Sequence, residues 1–132
     1  MTKRLILAVV LMASEAAAQQ PATVSSPDGR TAVTVFTHNG QLFYRVQRDR
    51  RDLMMPSQLG FVFRNAPPLR DSLRITGTQG DSADQTWTQP WGEVARVRDN
   101  HRQVRVSVQE GGSLGRRFDM VFRVFNDGIG FR

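Results

Sequence analysis

The chain has 132 residues, 39% of them hydrophobic and 23% charged, which is material for one globular domain and too little for two. A (β/α)8 barrel, at about 250 residues, is excluded by length alone. Eighteen Lys and Arg against twelve Asp and Glu set a formal net charge of +6, and the absence of cysteine removes both a disulfide framework and a Cys-based zinc site.

Lys3 and Arg4 precede an apolar run over residues 5–13, and Ala16-Ala17-Ala18 fits the small-x-small pattern of a secretory cleavage site. Residues 1–18 are therefore expected to be a signal peptide, with Gln19 the first exported residue and a periplasmic or secreted location. The apolar run falls short of the ~20 residues that span a bilayer, so no membrane association is expected after cleavage; an uncleaved anchor is the alternative. Cleavage would remove Lys3, Arg4 and Glu15 and leave arginine as the sole basic residue type. The arginines are dispersed among apolar residues, as at Arg96, Arg98, Arg105 and Arg123, which reads as the solvated face of a sheet.

Residues 19–25 are polar and expected to be a flexible leader, and the domain is expected over residues 26–132, opening with the turn Ser26-Pro27-Asp28-Gly29. Asn39-Gly40 lies between two β-prone runs, the strongest short-range hairpin signal. A two-residue turn there sets Val35 opposite Tyr44, Val33 opposite Val46 and Thr37 opposite Leu42 on the core face, with Phe36 and Phe43 paired on the other. Residues 59–63 read as a strand ended by Ala66-Pro67-Pro68, and residues 73–78 as a shorter one. Residues 80–85 have loop composition. They lead into the Trp-rich stretch Thr86-Trp87-Thr88-Gln89-Pro90-Trp91-Gly92-Glu93, after which residues 94–98 resume an extended pattern. Val104, Val106 and Val108 alternate inward against Arg105 and Ser107, and the glycines of residues 111–115 turn the chain back.

Phe118, Met120, Phe122 and Val124 share the apolar face of a strand over residues 117–125, with Asp127-Gly128 read as a two-residue turn. That register puts Ile129 opposite Asn126 and Phe131 opposite Val124, and leaves Phe118, Met120 and Phe122 without partners. A strand pattern interrupted in this way gives the expectation of a truncated reading frame, incomplete at its C-terminus. Sustained helical periodicity is absent after residue 18, so the fold class expected is all-β, an antiparallel β-sandwich.

Few chemical motifs survive scrutiny. Gly111-Gly112-Ser113-Leu114-Gly115 fits the G-x-S-x-G elbow of serine hydrolases, but a strand follows where a helix is required, and His38 and His101 both precede the serine. Two histidines cannot supply the usual zinc sets, and Asn126-Asp127-Gly128 is turn chemistry, not a calcium loop. Nucleic-acid binding is disfavoured because Trp87 and Trp91 lack adjacent arginines and the chain carries an export signal. Residues 87–93 form the best candidate surface, since tryptophan with polar amides suits sugar faces and hydroxyls; equally, both tryptophans fit as core plugs. A glycosidase needs two carboxylates at a set separation, and Glu93 alone does not establish that pair.

Taken in order, Ser26-Pro27-Asp28-Gly29, Leu59-Gly60, Trp91-Gly92-Glu93, Arg98-Asp99-Asn100-His101 and the closing Phe122-Arg123-Val124-Phe125-Asn126-Asp127-Gly128-Ile129-Gly130-Phe131-Arg132 resemble the N-terminal domain of glycoside hydrolase family 97. The resemblance implies a galactose-mutarotase-like super-sandwich that packs on a downstream catalytic (β/α)8 barrel, in a calcium-dependent periplasmic α-glucosidase or α-galactosidase. It places the catalytic groups and most calcium-binding glutamates beyond this chain, so no catalytic or metal-binding residue and no cofactor is assigned here. Trp87, Trp91, Glu93, Arg98, Asn100 and His101 are expected to contact an α-glucoside or α-galactoside oligosaccharide or the barrel. Two departures stand out. The family's Asn-x-x-Glu becomes Asn100-His101-Arg102-Gln103, and its Asp-Asp-Gly becomes Asn126-Asp127-Gly128. The other expectation is a free-standing exported sandwich that acts as an interaction or adhesion module.

Overall fold

Asn39 and Gly40 both adopt positive φ (49° and 74°), as a tight two-residue hairpin turn requires, and they join β2 (Thr31–His38) to β3 (Gln41–Arg48). The register is the one read from the sequence: Val33 opposite Val46, Val35 opposite Tyr44, Thr37 opposite Leu42, and Phe36 stacked on Phe43 across the outer face. A computed structural model describes residues 20–132; the signal peptide expected over residues 1–18 lies outside the described residues.

Two four-stranded antiparallel sheets carry the fold. The first has the order β1-β2-β3-β4, with β1 at Ala22–Ser25 and β4 at Arg51–Leu59. The second has the order β5-β6-β7-β8: β5 Leu73–Thr88, β6 Arg96–Glu110, β7 Arg117–Val124 and β8 Ile129–Phe131. Val33, Val35, Leu42 and Val46 from the first sheet meet Val104, Val106, Val108, Met120, Phe122 and Val124 from the second in one buried core. Tyr44 fastens the sheets together, its ring 5.8 Å from Phe122 and 5.3 Å from Phe131. Each fully buried Val, Leu or Phe side chain contributes about 1.5–3 kcal/mol of transfer free energy, so this cluster is the main source of cohesion in a chain without disulfides.

Three expectations about strand bounds are corrected. Residues 22–25 are not a flexible leader but strand β1, because Ala22 and Val24 alternate with Thr23 and Ser25 and bury against the core. The strand expected over residues 59–63 instead spans Arg51–Leu59, and beyond it Phe61 makes only an isolated bridge with Leu69. As an edge strand, β4 breaks its ladder with β3 at two register shifts and contains Pro56, devices that blunt an exposed edge. The loop expected at residues 80–85 is the middle of β5, paired without interruption to β6 from Gly77 to Thr88.

The last hairpin is shifted from the expected register. Val124 lies opposite Ile129 and Phe122 opposite Phe131, because residues 125–128 form a four-residue loop closed by the Phe125 N–H on the Gly128 carbonyl. A slip of two residues leaves every side chain on its own face, so the apolar set stays inward although its pairing changes.

Candidate functional site

β7 pairs with β6 from Gln109 only as far as Arg102. Beyond that point residues 96–101 of β6 pair with residues 83–88 of β5 alone, and the two strands leave the sandwich as a ribbon about 20 Å long. At its tip, residues 89–95 are closed by the Gln89 N–H on the Ala95 carbonyl and by Gln89 Nε2 on the Val94 carbonyl. Gly92 holds φ at 109°, and a β-carbon there would come within 3.2 Å of Gln89 Nε2, so the glycine of the Trp-Gly-Glu motif is demanded by the turn.

All six residues singled out from the sequence lie on this ribbon, its tip or its root, although they do not share one face. Trp87 lies opposite Val97, on the same side as Ala83, Asp99 and His101. Arg98 and Asn100 fall on the other side, opposite Thr86 and Asp84. Trp91 and Glu93 sit in the exposed tip. The tryptophans are not core plugs: Trp87 is 48% exposed and Trp91 83%.

His101 is different in kind. It is 4% exposed, with Nδ1 bonded to the Asp99 carboxylate and its ring 5.2 Å from Phe125. It therefore braces the point where the ribbon leaves the sheet and offers no surface to a ligand. Arg98 forks onto Asp84, Nε and Nη2 each 2.8 Å from a carboxylate oxygen. That bond holds the Asp84 carboxyl below the usual carboxylate range and raises the Arg98 guanidinium. Asp84 went unnoticed in the sequence because it stands in a stretch of loop composition; its offset of fourteen residues from Arg98 carries no local signal.

Other carboxylates are similarly engaged. Arg116 bonding lowers Glu110, Arg30 bonding lowers Asp49, and Asp119 is lowered first by the Ser107 hydroxyl and then by Arg105. A general acid needs its proton held near neutral pH, and these partners all favour the ionised form. Among the described residues no group of three or more His, Cys, Asp or Glu side chains is gathered to hold a metal ion. At the departure from Asn-x-x-Glu, Gln103 Oε1 accepts from Arg123 Nε at 3.1 Å, so the amide occupies an arginine-facing position that a carboxylate would also fit.

The sequence profile described as glycosyl-hydrolase 97 N-terminal matches residues 24–132. The chain belongs to this family. It is the N-terminal domain of a glycoside hydrolase family 97 protein, as the sequence resemblance implied. A retaining alpha-galactosidase of Bacteroides thetaiotaomicron is 24% identical over 127 residues, covering 96% of this chain and 18% of that protein. Family 97 enzyme structures from Pseudoalteromonas sp. strain K8, in complex with panose and with acarbose, superpose with a TM-score of 0.80 at 33% identity, covering 83% of this chain and 17% of theirs. A beta-arabinopyranosidase, at 22% identity and a TM-score of 0.74, shares the fold. The chain thus spans less than a fifth of the length of these family 97 relatives.

Proposed function

We propose that this chain is the exported, non-catalytic N-terminal sandwich of a family 97 α-glycosidase, and that its β5–β6 ribbon contacts an oligosaccharide or the catalytic barrel. The observation that carries this reading is a two-stranded ribbon projecting from the sandwich with Trp87 and Trp91 exposed on it. An unsupported two-stranded ribbon is marginal in water, so a partner surface would stabilise it. Tryptophan presents an apolar face to sugar C–H groups, while the exposed Glu93 supplies a polar contact at the tip. Panose and acarbose in the related structures support an α-linked oligosaccharide as the ligand class. Calcium is proposed for the full-length enzyme only. The donor set described above gives it no cage in residues 20–132.

The test is a calorimetric titration of the chain with panose, alongside an assay of p-nitrophenyl α-glucoside and α-galactoside hydrolysis. A saturable change lost in Trp87→Ala and Trp91→Ala, without turnover, is the expected outcome. Turnover abolished by Glu93→Gln would overturn the non-catalytic assignment.

A further inference from the structure

Gly80 is a glycine that the backbone does not require. It lies mid-strand in β5 opposite Val104, its φ is outside the left-handed region, and a β-carbon added there would meet nothing closer than the Gln103 carbonyl at 4.0 Å. Gly77 also has room, but it stands at the register shift after Ile75, where a bulge explains it. Glycine within a regular strand weakens that strand, and it marks places where another molecule or chain comes close to the backbone.

Gly80 borders a cleft of about 430 Å³ between the first sheet and the root of the ribbon. One wall is β1, an edge strand whose outer side has no ladder partner among the described residues. The opposite wall is formed on β5 and β6, where Thr78, Gly80 and Arg102 share the face of the buried Val104 while Asp81 and Gln103 pair on the other face. Arg102 is exposed, and among the described residues its guanidinium has no hydrogen bond or ion pair.

We infer that this cleft is a saccharide subsite separate from the tryptophan tip, with Gly80 keeping its floor bare so that a sugar ring can lie against β5. The carbohydrate class rests on the function proposed above; the location rests on the cleft. A sugar offers hydroxyls that both donate and accept. On the face that Gly80 leaves bare, the cleft answers with the Arg102 guanidinium, the Thr78 hydroxyl and the outer backbone edge of β1. An extended peptide pairing with β1 would need pockets for alternate side chains, and this polar wall provides none.

The experiment is an amide NMR titration of the 132-residue chain with panose, repeated on Gly80→Val, Gly80→Ala and Arg102→Gln. Panose is expected to shift the amides of Thr78, Gly80, Asp81 and Arg102. Gly80→Val is expected to weaken that response about ten-fold or more while Tm holds or rises, because valine favours the strand and fills the cleft. Gly80→Ala, with one added methyl group, falls between, and Arg102→Gln weakens binding without changing Tm. Shifts confined to Trp87, Trp91 and their neighbours would overturn this subsite and leave the ribbon reading standing. Shifts in the cleft alone would uphold the subsite and overturn sugar contact by the ribbon. An unaffected titration in Gly80→Val, a Tm that falls sharply in both glycine variants, or no shifts at all would each overturn the subsite.

Discussion

The side-chain oxygen of Asn126 accepts a hydrogen bond from the backbone N–H of Asp28 at 3.0 Å, across 98 residues of sequence. The first and last motifs of the family resemblance thereby meet: the Ser-Pro-Asp-Gly turn that opens β2 and the Asn-Asp-Gly loop that closes β7 onto β8. Arg48 Nη1 joins them, donating to the Asn126 carbonyl at 3.0 Å and to Thr31 Oγ1 at 2.9 Å. Asp28 is itself held, its carboxylate accepting from the Ser26 hydroxyl and the Arg30 N–H, which lower its pKa in that order.

Removing the Asn126 acceptor should therefore loosen a link between the two sheets. Asn126→Ala is expected to cost about 1 kcal/mol, the usual net worth of such a bond. Asn126→Asp should be nearly neutral, since a carboxylate oxygen accepts the same N–H and Arg48 lies alongside. Urea unfolding of the two variants measures the difference, and an Asn126→Asp as damaging as Asn126→Ala would refute the acceptor role.

A second link is sensitive to pH. Arg116 forks onto Glu110 with both contacts at 2.7 Å, donates to the Pro67 and Pro68 carbonyls, and lies over the Phe63 ring. It thus ties the segment after β4 to the β6–β7 turn. The fork lowers the Glu110 carboxyl below its ordinary value near 4.5. A lowered carboxylate contributes stability that is complete above its unfolded value and is lost as pH falls through the folded one. Arg116→Ala should accordingly lower Tm most at about pH 7, with the deficit shrinking toward about pH 2.5. The deficit should not vanish, because the bonds to the proline carbonyls do not titrate. A deficit independent of pH would show that Glu110 contributes nothing to the link.

Phe122 has no exposed surface and touches Tyr44 from the first sheet and Phe131 from β8. Phe122→Ala is expected to cost about 3–5 kcal/mol, from lost transfer free energy and the cavity left behind. Phe131, half exposed at the sheet edge, should cost much less on the same change. Equal losses in chemical denaturation would mean that the core is not organised around Phe122.

What was legible in the sequence follows burial. The β2–β3 register came from Asn39-Gly40 and from valines that alternate because one face is dry; the inward set of β6 at Val104, Val106 and Val108 came the same way. The ribbon was illegible because neither of its faces is buried, so residues 80–88 carry no period of two, and Gly80, Asp81, Ser82 and Asp84 have the composition of a loop. β4 was hidden for a related reason: its apolar residues Leu53, Met54 and Met55 run consecutively and stay exposed, so this edge strand shows no alternation. Of the candidate residues, Trp87, Trp91 and Glu93 sit where a surface reading of their stretch places them. His101 sits at the ribbon's buried root, a position that depends on where β7 stops pairing with β6, and no local pattern encodes that.

The β3–β4 turn supplies the last prediction. Asp49 and Arg50 both adopt positive φ, 49° and 65°, much as Asn39 and Gly40 do at the β2–β3 turn. The geometry matches while the residues do not, which is why the second turn gave no signal. Asp49 tolerates the left-handed region and is anchored by Arg30 at 2.9 Å through both carboxylate oxygens. Arg50 has no such compensation: it is exposed, and among the described residues it makes no hydrogen bond. A non-glycine residue in that region costs roughly 1–2 kcal/mol, part of which glycine would return as added freedom of the unfolded chain. Arg50→Gly is therefore expected to stabilise the fold by about 0.5–1 kcal/mol, raising Tm by about 2–6 °C. Arg50→Ala, which keeps the β-carbon, should give no such gain. Thermal denaturation of the pair isolates the backbone effect from the loss of the charge, and equal behaviour of the two variants would place the cost elsewhere than at φ.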